Sequence, residues 1–376
     1  MKLLFACGGT AGHINPAIAV ANSFKRRYPD AEIRFVGNPH GMEAKLVPQA
    51  GFPFIPVIIQ GFERRICWKN IKFNCSSVYY LLKTGKKLKN VYKEYRPDVV
   101  VGTGGYVSGP VLRKAAQMGI PTVTHEQNAF PGVTTKLLCK YVDKVLLAVP
   151  EAQERLPHGR EYIVTGNPVR EEVIYADRAK ARQELGVGDR LCLLSFGGSL
   201  GARRLNESIA DVIAWHYEQD QIYHIHGTGN AGKADFQRML QERGVNLQGH
   251  PQVDIRPYIQ NMSTCLAAAD LVICRAGAIT LSELQAMGRA SILIPSPNVA
   301  ENHQYFNAMV LQNHGAAIVV QEKELTGKKL CQLIQQLQED PQRLHSLGVN
   351  AQKMAILDAN ERICKEILQL AKEQRS

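Results

Sequence analysis

The sequence predicts an α/β protein with two similar domains, built on parallel strands, that face each other across a cleft. Short apolar runs alternate with stretches of roughly ten to fifteen residues of helical periodicity, which is typical of βαβ units. Two of the apolar runs end in glycine-rich loops that lie about 190 residues apart. This repetition indicates that the same type of unit occurs twice.

The two glycine-rich loops have the same design. Leu3–Ala6 leads into Gly8–His13 (GGTAGH), and Cys192–Phe196 leads into Gly197–Ala202 (GGSLGA). A third glycine cluster, Gly102–Tyr106, also follows an apolar run. Glycines let such a turn tighten and let backbone N–H groups approach a ligand, and the helix that follows favours negative charge at its N-terminus. All three loops are therefore candidate ligand sites.

The strand predictions divide the chain into two halves. In the first half the predicted strands are Leu3–Ala6, Glu32–Val36, Val99–Val101, Thr122–His125 and Lys144–Ala148. In the second half they are Tyr162–Thr165, Cys192–Phe196, Ile222–Ile225, Leu271–Cys274, Ser291–Ile294 and Ala317–Val320. Gly166-Asn167-Pro168 is the predicted connector, because Asn-Pro and Gly favour turns. The segment from about Pro341 to Ser376 has apolar residues at helical spacing and no predicted strand.

Composition and missing motifs argue against several classes of protein. No run approaches the roughly 18 apolar residues of a transmembrane helix. The sequence has no G-x-x-x-x-G-K-[ST] loop, as a P-loop NTPase would have, and its first loop lacks the G-x-G-x-x-G spacing of dinucleotide-binding oxidoreductases. Nine scattered cysteines without a C-x-x-C pair indicate a reducing cytoplasm, with neither a zinc site nor a disulfide framework.

A basic segment stands out within the net charge of +11. Between Gly61 and Val100, ten Lys/Arg residues accompany three acidic ones, and apolar and aromatic residues are interleaved with them. This pattern predicts binding to an anionic membrane surface through residues about 61–95, each charge adding about 1 kcal/mol near the lipid. A solvated helix face whose apolar members belong to the core is the alternative. Nucleic acid is not an expected partner, because no recognised nucleic-acid-binding motif accompanies the charge.

Polar side chains follow two of the first-half strands. His13 lies at the helix end of the first glycine loop, where an imidazole can reach a bound phosphate or hydroxyl; a structural histidine is the alternative. His125–Asn128 (HEQN) follows another strand, at the carboxyl end, where open α/β sheets bind ligands. An exposed loop of polar composition would give the same pattern.

The second half contains two further polar clusters. Arg275–Glu283 repeats the strand-to-helix design, and its Glu283 could accept hydrogen bonds from a ribose or complement the helix dipole. The residues alone leave both roles open. Glu301–Ala308 follows Pro295-Ser296-Pro297 and supplies amide side chains suited to a hydroxyl-rich ligand, with a solvated helix start as the alternative.

Taken together, these motifs resemble those of the N-acetylglucosaminyltransferases of peptidoglycan synthesis, which use UDP-N-acetylglucosamine and lipid I. The matching segments are Gly8–His13, Gly102–Tyr106, His125–Asn128, Gly166–Arg170, Gly197–Ala202, Arg275–Glu283 and His303-Gln304. The resemblance covers nearly the whole chain, with Ala11 where family members often have Gly and Leu200 where Gln is common.

The resemblance implies an α/β fold of the GT-B type, in which two Rossmann-like, doubly wound domains with parallel sheets face each other across a cleft. Residues 1–164 would form an acceptor-binding, membrane-associated domain, and residues 165–354 a domain that binds UDP-N-acetylglucosamine. A C-terminal helix at about 355–376 would pack back on the first domain.

It also implies roles for particular residues. Arg170 and Ser199 would meet the diphosphate, the backbone of Ile259 the uracil and Glu283 the ribose, with Ala278, Ile279, Thr280, Leu281 and Ser282 around the nucleotide. The residues implied around the N-acetylglucosamine are Thr10, Ala11, Gly12, Asn128 and Gln304. On the acceptor side the resemblance implies Gly104, Gly105, Tyr106, His125, His13 and Glu126, with His13 the first choice of catalytic base and Glu126 the second.

The implied reaction is inverting transfer of N-acetylglucosamine from UDP to the 4-hydroxyl of the muramyl unit of lipid I, giving lipid II. Backbone donors at a helix N-terminus and Arg170 can stabilise the departing UDP, so neither a metal nor a cofactor is expected. The implied location is the cytoplasmic face of the cell membrane, as a peripheral protein, with other cell-wall synthesis proteins as partners. The alternatives are another enzyme that uses UDP-N-acetylglucosamine, such as a 2-epimerase or a lipid glycosyltransferase, and a non-catalytic scaffold that binds nucleotide sugars.

Overall fold

The computed structural model describes residues 1–59 and 83–373. Its strands are β1 (Lys2–Ala6), β2 (Glu32–Gly37), β3 (Phe54–Pro56), β4 (Val99–Gly102), β5 (Thr122–Glu126), β6 (Lys144–Leu147), β7 (Ile163–Val164), β8 (Leu191–Phe196), β9 (Ile222–Gly227), β10 (Val253–Arg256), β11 (Leu271–Cys274), β12 (Ala290–Leu293) and β13 (Ile318–Val319).

Helices separate most of these strands. They are α1 (Ala11–Arg27), α2 (Glu43–Gln49), α3 (residues 83–95), α4 (Gly105–Gln117), α5 (Val133–Leu138), α6 (Glu171–Ile174), α7 (Arg178–Leu185), α8 (Arg203–His216), α9 (Lys233–Glu242), α10 (Met262–Ala268), α11 (Ala278–Ala286), α12 (His303–Asn313), α13 (Gly327–Glu339), α14 (Pro341–Lys353) and α15 (Ala359–Glu373). Short 3₁₀ turns occupy Pro150–Arg155, Ala300–Asn302 and Glu322–Glu324.

The strands form two parallel sheets with the same topology. The first sheet has the order β3-β2-β1-β4-β5-β6-β7 and the second the order β10-β9-β8-β11-β12-β13. In both sheets the order reverses beside the first strand, between β1 and β4 and between β8 and β11. Open α/β sheets bind ligands at such a switch point, at the carboxyl ends of the strands. The predicted α/β class with two Rossmann-like parallel sheets is confirmed.

Contacts group the chain into two compact units. The first consists of Met1–Val169 together with Ile356–Ser376, and the second of Arg170–Ala355. In the first unit α15 packs against α1, and its Ile363 and Ile367 are buried in the same core cluster as Leu3 of β1. The domain boundary predicted from the sequence falls after residue 164, whereas the contacts divide the chain after Val169.

Two strands, β3 and β10, are not predicted from the sequence, and both lie at sheet edges. β3 has only three residues and lies in a proline-containing stretch, and β10 alternates apolar residues with Asp254 and Arg256. An edge strand needs less apolar sequence than a central one, so its signal is weak. The assignment of β7 to the second half is wrong, because Ile163 and Val164 pair with β6 of the first sheet.

The basic segment predicted to bind membranes is described only in part. Its residues 61–82, including Trp68 and Phe73, lie outside the described residues. In α3 the side chains of Leu88 and Tyr92 are buried, so these apolar residues belong to the core. The lysines of the helix are exposed, namely Lys83, Lys86, Lys87, Lys89 and Lys93. Over residues 1–59 and 83–373, no helix combines the length and the apolar character needed to span a bilayer.

Three histidines form a hydrogen-bonded chain inside the second unit. His216 Nε2 lies 2.9 Å from His224 Nδ1, and His224 Nε2 lies 2.8 Å from Ser195 Oγ, which is also 2.8 Å from His226 Nδ1. All three rings are buried. Burial lowers the pKa of His216 to about 4 and that of His226 to about 3, and burial next to the other two histidines holds the pKa of His224 well below its usual range.

We expect acid to destabilise the second unit through these histidines. Their pKa is lower in the folded state than the value of about 6.5 in an unfolded chain, so the unfolded state binds more protons below that pH. Their contribution is complete above about pH 6.5 and is lost as the pH falls toward the folded-state values, by about 1.4 kcal/mol per pH unit for each histidine.

Chemical denaturation between pH 7 and pH 4 measures the slope of the unfolding free energy against pH. His226→Phe keeps a ring against Phe236, but phenylalanine does not titrate. The slope should therefore become shallower by about the contribution of one histidine. His345→Gln changes an exposed histidine of the same unit and should leave the slope unchanged. Equal slopes in the wild type and both variants would contradict the expectation.

Candidate functional site

The second unit has a cavity of about 480 Å³ at its switch point. Phe196 at the end of β8 pairs with Cys274 at the end of β11, so the loops that follow these strands lie side by side. The residues that line the cavity are Phe196, Gly197, Gly198, Gly201, Ala202, Arg203, Arg204, Arg275, Gly277, Thr280, Ser296, Asn298, Gln304 and Glu322. Its volume is in the range of small-molecule sites, and backbone, hydroxyl, amide and guanidinium groups converge on it.

Glycine is required in the loop between β8 and α8. A Cβ on Gly201 would lie 2.3 Å from the carbonyl oxygen of Thr228, and Gly201 has a φ of +79°. Gly198 also has a positive φ, +92°, but nothing lies within 4 Å of its Cβ position, so this part of the loop faces open space. The exposed Ser199 lies between these two glycines. The loop therefore presents its backbone to the cavity at the N-terminus of α8.

Two arginines that the sequence analysis misses line this cavity. Arg203 and Arg204 occupy the first turn of α8, with 82% and 57% of their side chains exposed, and both pair with Glu207 one turn later. Cations in the first turn oppose the helix dipole, and an anion bound there would offset this cost. Two adjacent arginines directly after a glycine loop are the signal that could have identified them.

Arg170 and Glu283, which the sequence analysis assigns to different parts of a nucleotide, are bonded to each other. Arg170 donates from Nε and Nη2 to Glu283 Oε1, at 3.0 and 2.9 Å, and from Nη1 to Glu172 at 2.7 Å. The Glu283 side chain is 8% exposed, and its burial raises the pKa of the carboxyl while Arg170 opposes that rise. The two residues thus form one polar group, with Glu283 in the middle of α11 and Arg170 directly before α6.

The remaining candidates of the second unit are distributed around the same switch point. Thr280 and Gln304 line the cavity, and Gln304 Oε1 accepts a hydrogen bond from the backbone of Ser296 at 2.9 Å. Ala278, Ile279, Thr280, Leu281 and Ser282 form the first turns of α11. Ile259 is buried and packs near Gly227 at the end of β9.

The first unit has a corresponding set of loops at its own switch point. A Cβ on Gly105 would lie 2.0 Å from the carbonyl oxygen of Gly8, and one on Gly104 would lie 2.7 Å from His13 Nδ1. The loops after β1 and β4 therefore touch through their backbones, with His13 against the second loop. Thr10, Ala11 and Gly12 begin α1 next to His13. Tyr106, near the start of α4, accepts a 3.2 Å hydrogen bond from Asn38, and burial raises the pKa of its hydroxyl.

His13 is held by two oxygens. Its Nδ1 lies 3.1 Å from the carbonyl oxygen of Thr103 and 3.1 Å from Oε1 of Gln127. His125, from the same polar run as Gln127, is buried, with Nε2 2.9 Å from the carbonyl oxygen of Gly166. Burial lowers the pKa of His125.

Glu126 organises the loop that follows β5. Its Oε1 accepts from the backbone and side-chain nitrogens of Asn128, both at 3.1 Å, and its Oε2 accepts from the backbone of Gly132 at 3.0 Å and from Thr135 Oγ1 at 2.5 Å. The side chain is buried. Four donors therefore occupy the carboxylate of Glu126, which is the second choice of base predicted from the sequence. Two of these bonds hold Asn128 in place.

Among the residues that the structure describes, no group of three or more His, Cys, Asp or Glu side chains is arranged to hold a metal ion.

Comparison with known proteins defines the class. Residues 3–147 match the glycosyltransferase family 28 N-terminal domain and residues 192–363 match the family 28 C-terminal domain. Two Rossmann-like units with glycine loops at their switch points agree with that class.

Full-length relatives define the family within the class. The chain is 42% identical over 375 residues to the UDP-N-acetylglucosamine--N-acetylmuramyl-(pentapeptide) pyrophosphoryl-undecaprenol N-acetylglucosamine transferase of Acetivibrio thermocellus, covering 100% of this chain and 99% of the relative. It is 38% identical over 376 residues to the protein of the same name from Desulforamulus reducens, covering 100% of both. The chain belongs to this family of N-acetylglucosamine transferases.

Solved structures of other proteins have the same fold as this chain. The crystal structure of MurG from Acinetobacter baumannii has a TM-score of 0.77 and 28% identity, covering 98% of this chain and 99% of that one. A co-structure of MnaA from S. aureus with UDP has a TM-score of 0.67 at 13% identity, with 98% of both chains covered, and shares the fold alone.

Proposed function

We propose that this chain transfers N-acetylglucosamine from UDP-N-acetylglucosamine to the 4-hydroxyl of the muramyl unit of lipid I, with inversion, and so forms lipid II. The observation that carries the proposal is full-length identity of 38–42% to relatives named as transferases of N-acetylglucosamine to the pyrophosphoryl-undecaprenol-linked muramyl pentapeptide. Loops at both switch points provide the polar backbone and side chains that such substrates need.

The cavity of the second unit is the proposed site for UDP. The Gly197–Gly201 loop presents backbone N–H groups, and the positive end of α8 favours an anion there. Arg203 and Arg204, which line the cavity, add two guanidinium groups. Arg170 and Ser199 are the further residues proposed to meet the diphosphate. These groups would bind the diphosphate and stabilise the charge that develops as UDP departs. Glu283 would bind the ribose, and the backbone of Ile259 the uracil.

The switch point of the first unit is the proposed site of the acceptor hydroxyl and the sugar. His13 is the proposed base, because its ring is partly exposed and its Nδ1 is already bonded to backbone and amide oxygens. Glu126 is less suited to this role, since four donors already occupy its oxygens. Within the first unit, Thr10, Ala11, Gly12 and Asn128 would contact the N-acetylglucosamine.

The acceptor would be held at the cytoplasmic leaflet by a basic surface on the first unit. The exposed lysines of α3 support this proposal, since cations near anionic lipid each contribute about 1 kcal/mol. Because Leu88 and Tyr92 are buried, α3 would bind by charge rather than by inserting these side chains.

The first test is turnover. Purified protein with labelled UDP-N-acetylglucosamine and a lipid I analogue should release UDP and form the lipid-linked disaccharide. His13→Gln should lower kcat by about 10²- to 10⁴-fold, because it removes the base. His158→Gln, at an exposed position of the same unit, should leave kcat unchanged. Failure of the wild type to form the disaccharide would contradict the proposed activity, and full activity of His13→Gln would contradict the choice of base.

The second test separates the two carboxylates that bind Arg170. Glu283→Ala should weaken UDP-N-acetylglucosamine binding by about 1.5–3 kcal/mol in calorimetry, because a buried charge-assisted bond to the ribose is lost. Glu172→Ala removes the 61% exposed partner of the same arginine and should change the affinity by less than about 0.5 kcal/mol. An unchanged affinity in Glu283→Ala would leave Glu283 as a partner of Arg170 only.

The third test concerns the lysines of α3. The wild type should co-sediment with vesicles that contain anionic lipid, less so as salt rises, because screening weakens the attraction. A variant with Lys83, Lys86, Lys87 and Lys89 changed to Glu should stay in the supernatant while retaining activity on a soluble short-chain acceptor. As a control, Lys233, Lys323, Lys328 and Lys329 of the second unit changed to Glu gives the same change in net charge and should still sediment. Normal sedimentation of the α3 variant would place membrane binding elsewhere.

A further inference from the structure

The side-chain amide of Gln127 has only one orientation that satisfies its neighbours. One end of the amide lies 3.0 Å from the carbonyl oxygen of His125 and 3.0 Å from His125 Nδ1. A backbone carbonyl can only accept a hydrogen bond, so this end must be the NH₂ group. The other end, Oε1, therefore points at His13 Nδ1, 3.1 Å away.

The protonation of His125 follows from its other neighbour. Its Nε2 lies 2.9 Å from the carbonyl oxygen of Gly166, so Nε2 carries the proton and donates it. Burial keeps this ring neutral by lowering its pKa. Its Nδ1 then has a lone pair, which accepts from the Gln127 amide. The carbonyl of Gly166 thus fixes the direction of donation, which runs from Gln127 to His125 and from His125 to Gly166.

The same reasoning determines the tautomer of His13. Its Nδ1 faces two oxygens, the carbonyl of Thr103 and Oε1 of Gln127, both at 3.1 Å and both acceptors in this arrangement. Nδ1 must therefore carry a proton. In a neutral imidazole only one nitrogen is protonated, so Nε2 of His13 has the lone pair that a general base requires.

We propose that Gln127 is a positioning residue: with the Thr103 carbonyl it fixes His13 in the tautomer protonated at Nδ1 and fixes the rotation of the ring. This inference rests on the proposed function, in which His13 removes the proton of the acceptor hydroxyl. Gly104 is part of the arrangement, because a Cβ there would lie 2.7 Å from His13 Nδ1 and displace the ring. Gln127 itself is buried and acts through His13.

Nitrogen NMR of the full-length protein labelled at histidine tests the tautomer without any substrate. The His13 signals are those that His13→Gln removes. In the wild type near pH 8, His13 should be protonated at Nδ1 and unprotonated at Nε2. Detection of the opposite tautomer would overturn the proposal at once. Because this measurement needs no turnover, its result is independent of whether the proposed reaction is correct.

Gln127→Met tests the role of the amide, since methionine has a similar length and no acceptor oxygen for His13. We expect a larger population of His13 protonated at Nε2, a three- to tenfold lower kcat at pH 7 and an unchanged affinity for UDP. Gln117→Met, an exposed position on α4, is the matched control and should behave as the wild type in all three measurements.

The outcomes distinguish a positioning role from a structural one. A lower kcat with an unchanged tautomer would overturn the proposal and leave Gln127 a structural residue. A changed tautomer with an unchanged kcat would overturn its link to catalysis, and wild-type kcat in His13→Gln would identify the proposed base as the failing assumption. Should the methionine variant not fold, Gln127→Asn gives the same test, because its amide is one methylene too short to reach His13 and His125 together.

Discussion

Close backbone contact between loops at neighbouring strand ends is the constraint on which both units depend. A side chain on Gly105 would collide with the Gly8 carbonyl, and one on Gly201 with the Thr228 carbonyl, so these positions require glycine. Both glycines also have a positive φ, which L side chains rarely adopt. With the loops pressed together, the N-termini of the helices and their free N–H groups lie at one edge of each sheet. The edge proposed to bind ligand therefore follows from the way the glycines pack.

The central strands were predictable because parallel strands are buried on both faces. β1, β4, β8 and β11 have few polar residues, and such short apolar runs ending in glycine are visible in the sequence. The edge strands β3 and β10 were not, because an edge strand needs less apolar sequence and tolerates proline or charge. β7 was predicted as a strand but assigned to the wrong sheet, because the strand that it pairs with is known only from the fold.

Candidate site residues can be proposed from the sequence where the signal is local, but contacts between distant residues cannot. The loops and their helix starts were identified from motifs, and Arg203 and Arg204 could have been, since cations at a helix N-terminus are unfavourable unless an anion is near. The bond between Arg170 and Glu283 joins residues 113 positions apart, and that between His13 and Gln127 joins residues 114 positions apart. Which side chains meet across such separations in the sequence depends on the registers of the two sheets, and a single sequence does not reveal these registers.

The two switch points differ in charge although their backbones are alike. In the second unit the first turn of α8 carries two arginines, which suits an anion whose negative charge grows during the reaction. In the first unit the corresponding turn of α1 carries His13, whose Nδ1 faces two acceptor oxygens and whose Nε2 therefore holds a lone pair. A lone pair suits a hydroxyl that must lose a proton. We propose that the similar topology of the units supports two different tasks, and that the side chains of the first helical turn determine which task each unit performs.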